Sequence, residues 1–210
     1  MSDEAKKRVM DHALAGVSLR ERFFSENAAL VVDAARTLAV CLAKGGKILL
    51  CGNGGSAADA QHLAAEFVNR FVLDRPPLPA IALTTDSSIL TSIGNDFGYD
   101  QVFAKQVRAL GNPEDVLVGI STSGNSENVV RAFQAARGCS VFTLGLTGRD
   151  GGEVAEYSDM LINVPEQSTA LVQEIHITVG HLLCGLVDYF LFQNALALAP
   201  YLDGKGRPDN

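Results

Sequence analysis

The residues best suited to chemistry begin with a histidine and a glutamate four positions apart, His62 and Glu66. That spacing places both side chains on one face of a helix, about 40° apart around its axis. A histidine and a carboxylate so arranged can share a metal ion or a proton-transfer step. Isolated pairs of this kind are also common on solvated helix surfaces. Because the pair closely follows a glycine-rich loop, its position favours a functional site.

A long apolar segment near the end of the chain carries a second group of polar side chains. Gln173, Glu174, His176 and His181 interrupt that segment. Polar groups that become buried need hydrogen-bond partners or a ligand. On a helical wheel, His176 and His181 both lie within about 80° of Gln173. Spacing therefore does not choose between the two histidines, and one of them is expected to be a core or interface residue.

Two polar loops have the composition of anion-binding loops, and the first is STSGNS at residues 121–126. It lies between an apolar run and a helix, where unpaired backbone N–H groups and the positive end of the helix dipole are available. Its hydroxyl groups add neutral donors. The alternative is an ordinary strand–helix loop in which Ser126 caps the helix. The spacing and the lysine of a Walker loop are missing.

The second loop, GNGGS at residues 52–56, follows an earlier apolar run. Its glycines permit positive φ and a close approach of the backbone to a ligand. It does not fit the G-x-G-x-x-G fingerprint of dinucleotide-binding proteins, because the last glycine is absent. No acidic residue ends a second strand about 20 residues further on. A nicotinamide-dependent enzyme is therefore disfavoured.

Apolar runs alternate with helical segments after a helical N-terminal region. The first 45 residues predict two helices, at about 14–24 and 28–42. Five strand-like runs follow, at 47–51, 79–83, 115–120, 141–146 and 160–164. Helices are predicted at 57–71, 128–137, 153–157 and 169–192. Two further helical pieces, separated by GNDFGYD, are predicted between the second and third runs. This alternation predicts an α/β fold with a parallel sheet covered on both faces, whose polar loops gather at the carboxyl edge.

Composition limits the classes of protein to which the chain can belong. Of its 210 residues 47% are hydrophobic, and the net charge is −7. With 17 Lys and Arg against 24 Asp and Glu, little room remains for the basic stripe of a nucleic-acid-binding protein. An anionic substrate must then be bound by local backbone dipoles. The mean hydropathy of +0.15 is slightly apolar for a monomer and fits an oligomer interface.

Cellular location is predicted from segments that the chain lacks. No run of about 18 apolar residues occurs, so a membrane-spanning helix is not expected. The charged N-terminal sequence differs from a secretion signal. The four cysteines lack C-x-x-C or metal-finger spacing, and they are Cys41, Cys51, Cys139 and Cys184. Buried thiols in a reducing cytoplasm are the prediction.

Five motifs occur in order along the chain: LLCGNGGSAADAQHLAAEF, GNDFGYDQVFAKQV, GISTSGNSENV, LTGRDGG and QEIHITVGH. Together they closely resemble the phosphoheptose isomerases of the sugar-isomerase (SIS) family, over about residues 47–190. The resemblance implies a three-layer, flavodoxin-like α/β fold with a five-stranded parallel sheet. It implies a cytoplasmic homotetramer with sites at subunit interfaces. A single domain over residues 1–210 would comprise N-terminal helices used in oligomerisation (1–45), an α/β core (46–193) and a C-terminal tail (194–210), frayed from Pro200.

The same resemblance implies an activity, the conversion of sedoheptulose 7-phosphate to D-glycero-D-manno-heptose 7-phosphate for the synthesis of lipopolysaccharide heptose. One zinc ion per subunit would be bound by His62, Glu66, Gln173 and His181. The phosphate would lie against Ser121, Thr122, Ser123 and Ser126. The sugar would contact Asn53, Gly54, Gly55, Ser56, Asn95 and Asp96, together with Glu66 and Gln173. Arg70, one turn beyond Glu66, either reaches the ligand or is a surface arginine.

Isomerisation moves a proton between C1 and C2 through an enediol, and Glu66 and His181 are the implied acid–base residues. A carboxylate held tightly by a cation is a weak base, so a loosely held Glu66 is expected. Leu171 stands where the family commonly carries a charged residue, which is expected to alter the approach to the site. Two alternatives remain: an isomerase of another phosphosugar, and a non-catalytic SIS protein of the kind that associates with the bacterial replication initiator.

Overall fold

The computed structural model describes residues 3–202, and these begin with one long helix. Helix α1 runs without a break over Asp3–Ala43. The prediction of two helices in this region is wrong, because the polar segment around Ser25 and Asn27 contains no glycine or proline to end a helix. Both side chains donate hydrogen bonds to carbonyl oxygens one turn earlier, Ser25 to Arg22 and Asn27 to Phe23.

Five parallel strands form one sheet, as the apolar runs predict. The strands are β1 (Ile48–Gly52), β2 (Ala80–Ala82), β3 (Val116–Ser121), β4 (Phe142–Gly148) and β5 (Met160–Val164). Their order across the sheet is β2-β1-β3-β4-β5. Every residue of β1 and β3 is buried, as expected for central strands of a parallel sheet covered on both faces.

Helices connect the strands and cover the sheet. They are α2 (Gly55–Val68), α3 (Ser87–Phe97), α4 (Val102–Leu110), α5 (Glu127–Gly138), α6 (Gly152–Glu156), α7 (Thr169–Asp188) and the short α8 (Ala199–Leu202). The sequence predicts a break between two helices over GNDFGYD, residues 94–100. Most of that segment is helical instead, because residues 94–97 lie inside α3. The chain turns at Gly98 instead, whose φ of 97° suits only glycine.

The alternation of side chains along β1 divides the core into two layers. Ile48 and Leu50 pack with the apolar residues of α1, α2 and α7 on one face of the sheet. Leu49 and Cys51 pack on the other face, with the apolar residues of α4 and α5. The predicted three-layer α/β fold is confirmed, and it places α2 and α7 side by side on one face.

The last long helix is the most apolar of the long helices of the described chain. By length and composition, Thr169–Gln193 is the one helix among residues 3–202 that could cross a membrane, contrary to the expectation that the chain contains no such segment. Half of the residues in its most apolar 18-residue stretch are buried in the protein. Because it packs between α1 and the sheet, it has the burial of a core helix.

The chain continues as ordered structure beyond that helix. A π-helical turn covers Tyr189–Gln193, and a 3-10 helix covers Ala195–Leu198. Leu198 is buried, and the guanidinium of Arg36 lies 4.9 Å from the ring centre of Tyr201. The fraying predicted from Pro200 is therefore wrong as far as Leu202, and residues 203–210 lie outside the described part of the chain.

Candidate active site

The two predicted anion-binding loops meet at the carboxyl edge of the sheet. Strands β1 and β3 are neighbours, with Gly52 in register with Ile120. The side-chain amides of Asn53 and Asn128 donate to each other, with N···O distances of 2.8 and 2.9 Å. Asn128 is buried in the first turn of α5. This amide pair fastens the glycine-rich loop to the helix that follows the Ser/Thr loop.

The Ser/Thr loop leads into the start of α5, and its first and last hydroxyl groups are hydrogen-bonded to each other. The hydroxyl of Ser121 donates to the hydroxyl of Ser126 at 3.1 Å. Ser126 is the N-cap residue of α5 but forms no side-chain capping bond, contrary to the ordinary-loop alternative. Val129 and Val130 donate to the carbonyl oxygen of Ser126, so in this turn the N–H groups of Glu127 and Asn128 are the ones that can bind an anion.

The turn after β4 and the start of α6 hydrogen-bond to this loop and support it. Sequence reasoning did not assign this role to them. The carbonyl oxygen of Gly124 accepts from the backbone N–H of Val154 at 2.9 Å. The side-chain oxygen of Asn125 accepts from the N–H of Glu153 at 3.0 Å. Gly124 itself has a φ of 69° and lies against the backbone of Gly151. The conformation of the loop is thus fixed before any ligand binds.

The glycine-rich loop leads directly into α2 and contacts α7. Gly54 has a φ of 57°, and Ser56 is buried. Gly55 lies under the amide of Gln173, since a Cβ atom at Gly55 would be 2.5 Å from its Nε2 atom. A side chain at position 55 would therefore displace the Gln173 amide from this loop.

Three of the four predicted zinc ligands come together between α2 and α7. The Nε2 atoms of His62 and His181 are 2.9 Å apart. The Nε2 atom of His62 is 3.5 Å from Oε1 of Glu66. The ring of Phe71 stacks on that of His181, with centres 5.4 Å apart. One nitrogen of the histidine pair must carry the proton while the other accepts it.

These three donors fit a zinc ion in type, although they are not arranged as a formed metal site. Imidazole and carboxylate are preferred zinc ligands, and two nitrogens on tetrahedral zinc lie about 3.3 Å apart. The histidines would have to separate by a few tenths of an ångström. Within residues 3–202, no three His, Cys, Asp or Glu side chains have the geometry of a metal-binding group. Gln173 precedes His181 by two helical turns, about 12 Å along the axis.

Asp59 is a fourth ionisable residue at this site, and sequence reasoning did not single it out. It lies one turn before His62 on α2, an i, i+3 spacing that offered a signal. Burial raises the pKa of the Asp59 carboxyl, while the neighbouring His62 and His181 act to lower it. An open depression of about 290 Å³ adjoins the site and is lined by Gly55, Asp59, Ala170, Gln173, Glu174 and Ile177.

The two histidines that spacing could not distinguish have different environments. His176 is buried, and its Nε2 atom donates to the carbonyl oxygen of Thr147 on β4 at 2.9 Å. Burial lowers the pKa of His176 to about 4, so its ring is neutral. His176 is therefore the core histidine, and His181 is the one that faces α2.

The other polar residues singled out in the sequence are exposed. Asn95 and Asp96 are exposed on α3 and hydrogen-bond to each other at 2.8 Å. Arg70 is exposed just beyond the end of α2. Leu171 is buried beside Gly16 of α1 within the chain.

Comparison with known proteins places this geometry in a family. The SIS domain model matches residues 14–148. A phosphoheptose isomerase from Nitratidesulfovibrio vulgaris (strain Miyazaki F) is 66% identical over 205 residues, which are 98% of this chain and 99% of that protein.

Solved structures agree with that assignment. A phosphoheptose isomerase from Neisseria gonorrhoeae is 49% identical with a TM-score of 0.83, over 88% of this chain and 98% of the other. One from Francisella tularensis is 37% identical with a TM-score of 0.85, over 90% of this chain and 99% of the other. With its parallel sheet, its paired loops and its convergent histidines and glutamate, the chain belongs to the phosphoheptose isomerase family of SIS-domain proteins.

Proposed function

We propose that this chain interconverts sedoheptulose 7-phosphate and D-glycero-D-manno-heptose 7-phosphate, a step toward the nucleotide-activated heptose of lipopolysaccharide. The observation that carries the proposal is the convergence of Glu66, His62 and His181 between two adjacent helices, next to the paired loops. The identity of 66% to a phosphoheptose isomerase over nearly the whole chain supports the same substrate.

The phosphate of the substrate binds at the Ser/Thr loop, through Ser121, Thr122, Ser123 and Ser126. The start of α5 supplies backbone N–H groups and the positive end of its dipole. Such a site needs no cationic side chain, in keeping with a net charge of −7. Hydroxyl and amide donors also release a phosphate more readily than a buried ion pair would.

The sugar then extends from the phosphate toward the glycine-rich loop. Asn53, held by Asn128, keeps one amide hydrogen and one lone pair free for a sugar hydroxyl. Gly54, Gly55 and Ser56 line the same path. Gln173 lies beside Gly55 on this path, whereas Glu66, about 16 Å further along α2, would face C1 and C2 at the other end of the substrate.

Glu66 acts as the general base on the ketose. It takes a proton from C1 while the oxygen on C2 gains a proton, which gives a 1,2-enediol. The hydroxyl on C1 then loses its proton as the C1 carbonyl forms, and C2 receives a proton to complete the aldose. His181 is the second acid–base residue, and its contact with His62 sets the orientation of its ring. In the reverse direction the two residues exchange roles.

His62, Glu66, Gln173 and His181 would hold one zinc ion per subunit. When bound, zinc supplies a Lewis acid that polarises the substrate carbonyl and stabilises the charge of the enediolate. Binding at His62 and His181 would replace their mutual hydrogen bond. Glu66 remains the loosest ligand in this proposal, because its basicity depends on weak contact with a cation.

The chain works as a cytoplasmic homotetramer in this proposal. The first half of α1 carries exposed apolar residues: Val9, Met10, Leu14 and Val17. A contiguous exposed apolar stripe favours association. With sites at subunit interfaces, Asn95 and Asp96 on α3 need not reach the site of their own chain to contact a sugar.

A coupled assay on sedoheptulose 7-phosphate tests the activity directly. Glu66→Gln should lower kcat by about 10²- to 10⁴-fold, because it removes a general base and keeps the shape of the side chain. Glu114→Gln, at an exposed turn on the opposite edge of the sheet, is the matched control and should keep wild-type activity. Equal rates for wild type and Glu66→Gln would favour a non-catalytic SIS protein.

A further inference from the structure

One arginine is buried although no ligand or anion-binding role was assigned to it. Arg75 lies in the segment between α2 and β2, and 1% of its side chain is exposed. Its Nε atom donates to Oδ1 of Asp188 at 2.9 Å, and that carboxylate is also buried. Buried arginines are rare unless they are paired.

The same guanidinium closes the end of α2. Its Nη2 atom donates to the carbonyl oxygen of Glu66 at 2.9 Å, and its Nη1 atom donates to that of Phe67 at 2.6 Å. Both carbonyls belong to the last turn of α2. They lack the usual helical donor, because the N–H groups four residues later lie beyond the end of the helix. Arg75 therefore binds the main chain of the residue that carries the proposed base.

The other end of the bridge is fixed to α7. Asp188 ends that helix two turns after His181, on the same rigid element. A π-helical turn begins at the next residue, Tyr189. A single planar side chain thus joins the Glu66 end of one helix to the His181 helix. The fixed fork of a guanidinium makes such a link stiff in both distance and direction.

The energetics argue against stability as the main role of this bridge. Removing two charges from water costs several kcal/mol, and a buried ion pair often contributes no net stability. Among the described residues, Oδ2 of Asp188 has no hydrogen-bond partner, which adds to that cost. A link that is expensive to bury and incompletely paired is better explained by the geometry it imposes.

We propose that Arg75 is a positioning residue for the isomerase reaction, which locks the Glu66 turn of α2 against the His181 helix through Asp188. This inference rests on the proposed function. The phosphate loop belongs to β3 and α5, so the bridge should affect kcat far more than KM. Small displacements of catalytic groups reduce rates strongly, because reactivity depends on close alignment.

The test replaces both charges by apolar groups of similar size, in Arg75→Met/Asp188→Leu. An apolar pair often stabilises as well as a buried ion pair, but the carbonyl oxygen of Glu66 loses its donor, so the variant should stay folded with a moderately lower thermal midpoint. We expect kcat to fall by about tenfold or more with KM within about threefold. Lys47→Met, which breaks the Lys47–Asp115 ion pair at the opposite edge of the sheet, is the control and should change neither constant.

Side-chain ¹⁵N spectra of the histidines in the metal-free protein provide a readout independent of activity. The His62–His181 contact should give a defined tautomer pair in wild type and lose it in the double variant. Arg75→Lys covers the case in which the double variant does not fold, because it keeps the charge but cannot span both helices; it should show the same losses. A folded variant with wild-type kcat and unchanged histidine spectra would overturn the proposal. Absence of activity in wild type would refute the proposed function alone, since the spectra still test the positioning.

Discussion

The amide pair between Asn53 and Asn128 can be disrupted by exchanging a single donor, in Asn128→Asp. The change replaces the N–H₂ group that donates to Oδ1 of Asn53 at 2.9 Å with an oxygen. The second bond, in which Asn53 donates at 2.8 Å, remains possible and gains strength from the charge of the acceptor. Two oxygens then face each other where one hydrogen bond existed.

Opposing effects set the magnitude. Loss of one bond with an unsatisfied, largely buried acceptor costs about 2–3 kcal/mol. Desolvation of the new carboxylate adds to this cost, whereas its place in the first turn of α5 returns about 0.3–1 kcal/mol through the helix dipole. We expect a net decrease of about 2 kcal/mol in the free energy of unfolding at pH 8.

That decrease should shrink as the pH falls. Burial and the facing oxygen raise the pKa of the new carboxyl in the folded protein above the unfolded value of about 3.9. A raised folded pKa gives stability that is present at low pH and lost as the pH rises through it. The protonated carboxyl can donate to Asn53 again, so the variant should recover toward wild type as the pH falls from about 6 to about 4.

Urea unfolding at several pH values and one protein concentration measures this effect. Asn128→Ala is the control, because it removes both bonds and adds no titratable group, so its deficit relative to wild type should not vary with pH. Parallel deficits for the two variants over the whole range would show that the amide pair does not control this contact. The reasoning on how Asn53 is oriented would then be refuted.

Three further predictions follow from single contacts. Gly55→Ala should displace the Gln173 amide and lower kcat/KM with little change in thermal midpoint, whereas Gly138→Ala, which has open space, should not alter activity. Neutral His176 should make stability fall by up to about 3 kcal/mol between pH 6.5 and pH 4, since only the unfolded chain binds the proton there; His176→Gln should remove that component in denaturant titrations across this range. A thiol reagent should label half-buried Cys139 first in the native protein. Cys41, Cys51 and Cys184 should react slowly, because burial raises the pKa of their thiols, to about 12 for Cys41 and Cys51.

The strands were predictable from the sequence because a strand buried on both faces is a continuous apolar run. Each of the five predicted runs overlaps a strand, and the ends of run and strand differ by at most two residues. The helix breaks were less predictable, since turn-forming residue types do not always form turns. Asn95 and Asp96 lie inside α3, and only the positive φ of Gly98 ends that helix.

The site could be predicted in part. His62 and Glu66 share a helix face, which local spacing reveals, whereas the contact of His62 with His181 joins residues 119 positions apart. No local pattern separates His181 from His176, because burial against Thr147 depends on how α7 packs on the sheet. Arg75 and Asn128 were not identified for the same reason, since each acts through a partner distant in sequence.

The position of α7 at the end of the chain has a consequence for biosynthesis. Gln173 and His181 lie in the last long helix, while the loop and helix that complete the site lie more than a hundred residues earlier. A ribosome-bound chain that stops before residue 169 can already contain every strand of the sheet and still lack half of the catalytic group. Turnover by the proposed mechanism would therefore require synthesis through α7, so products truncated before that helix would not act on sugar phosphates.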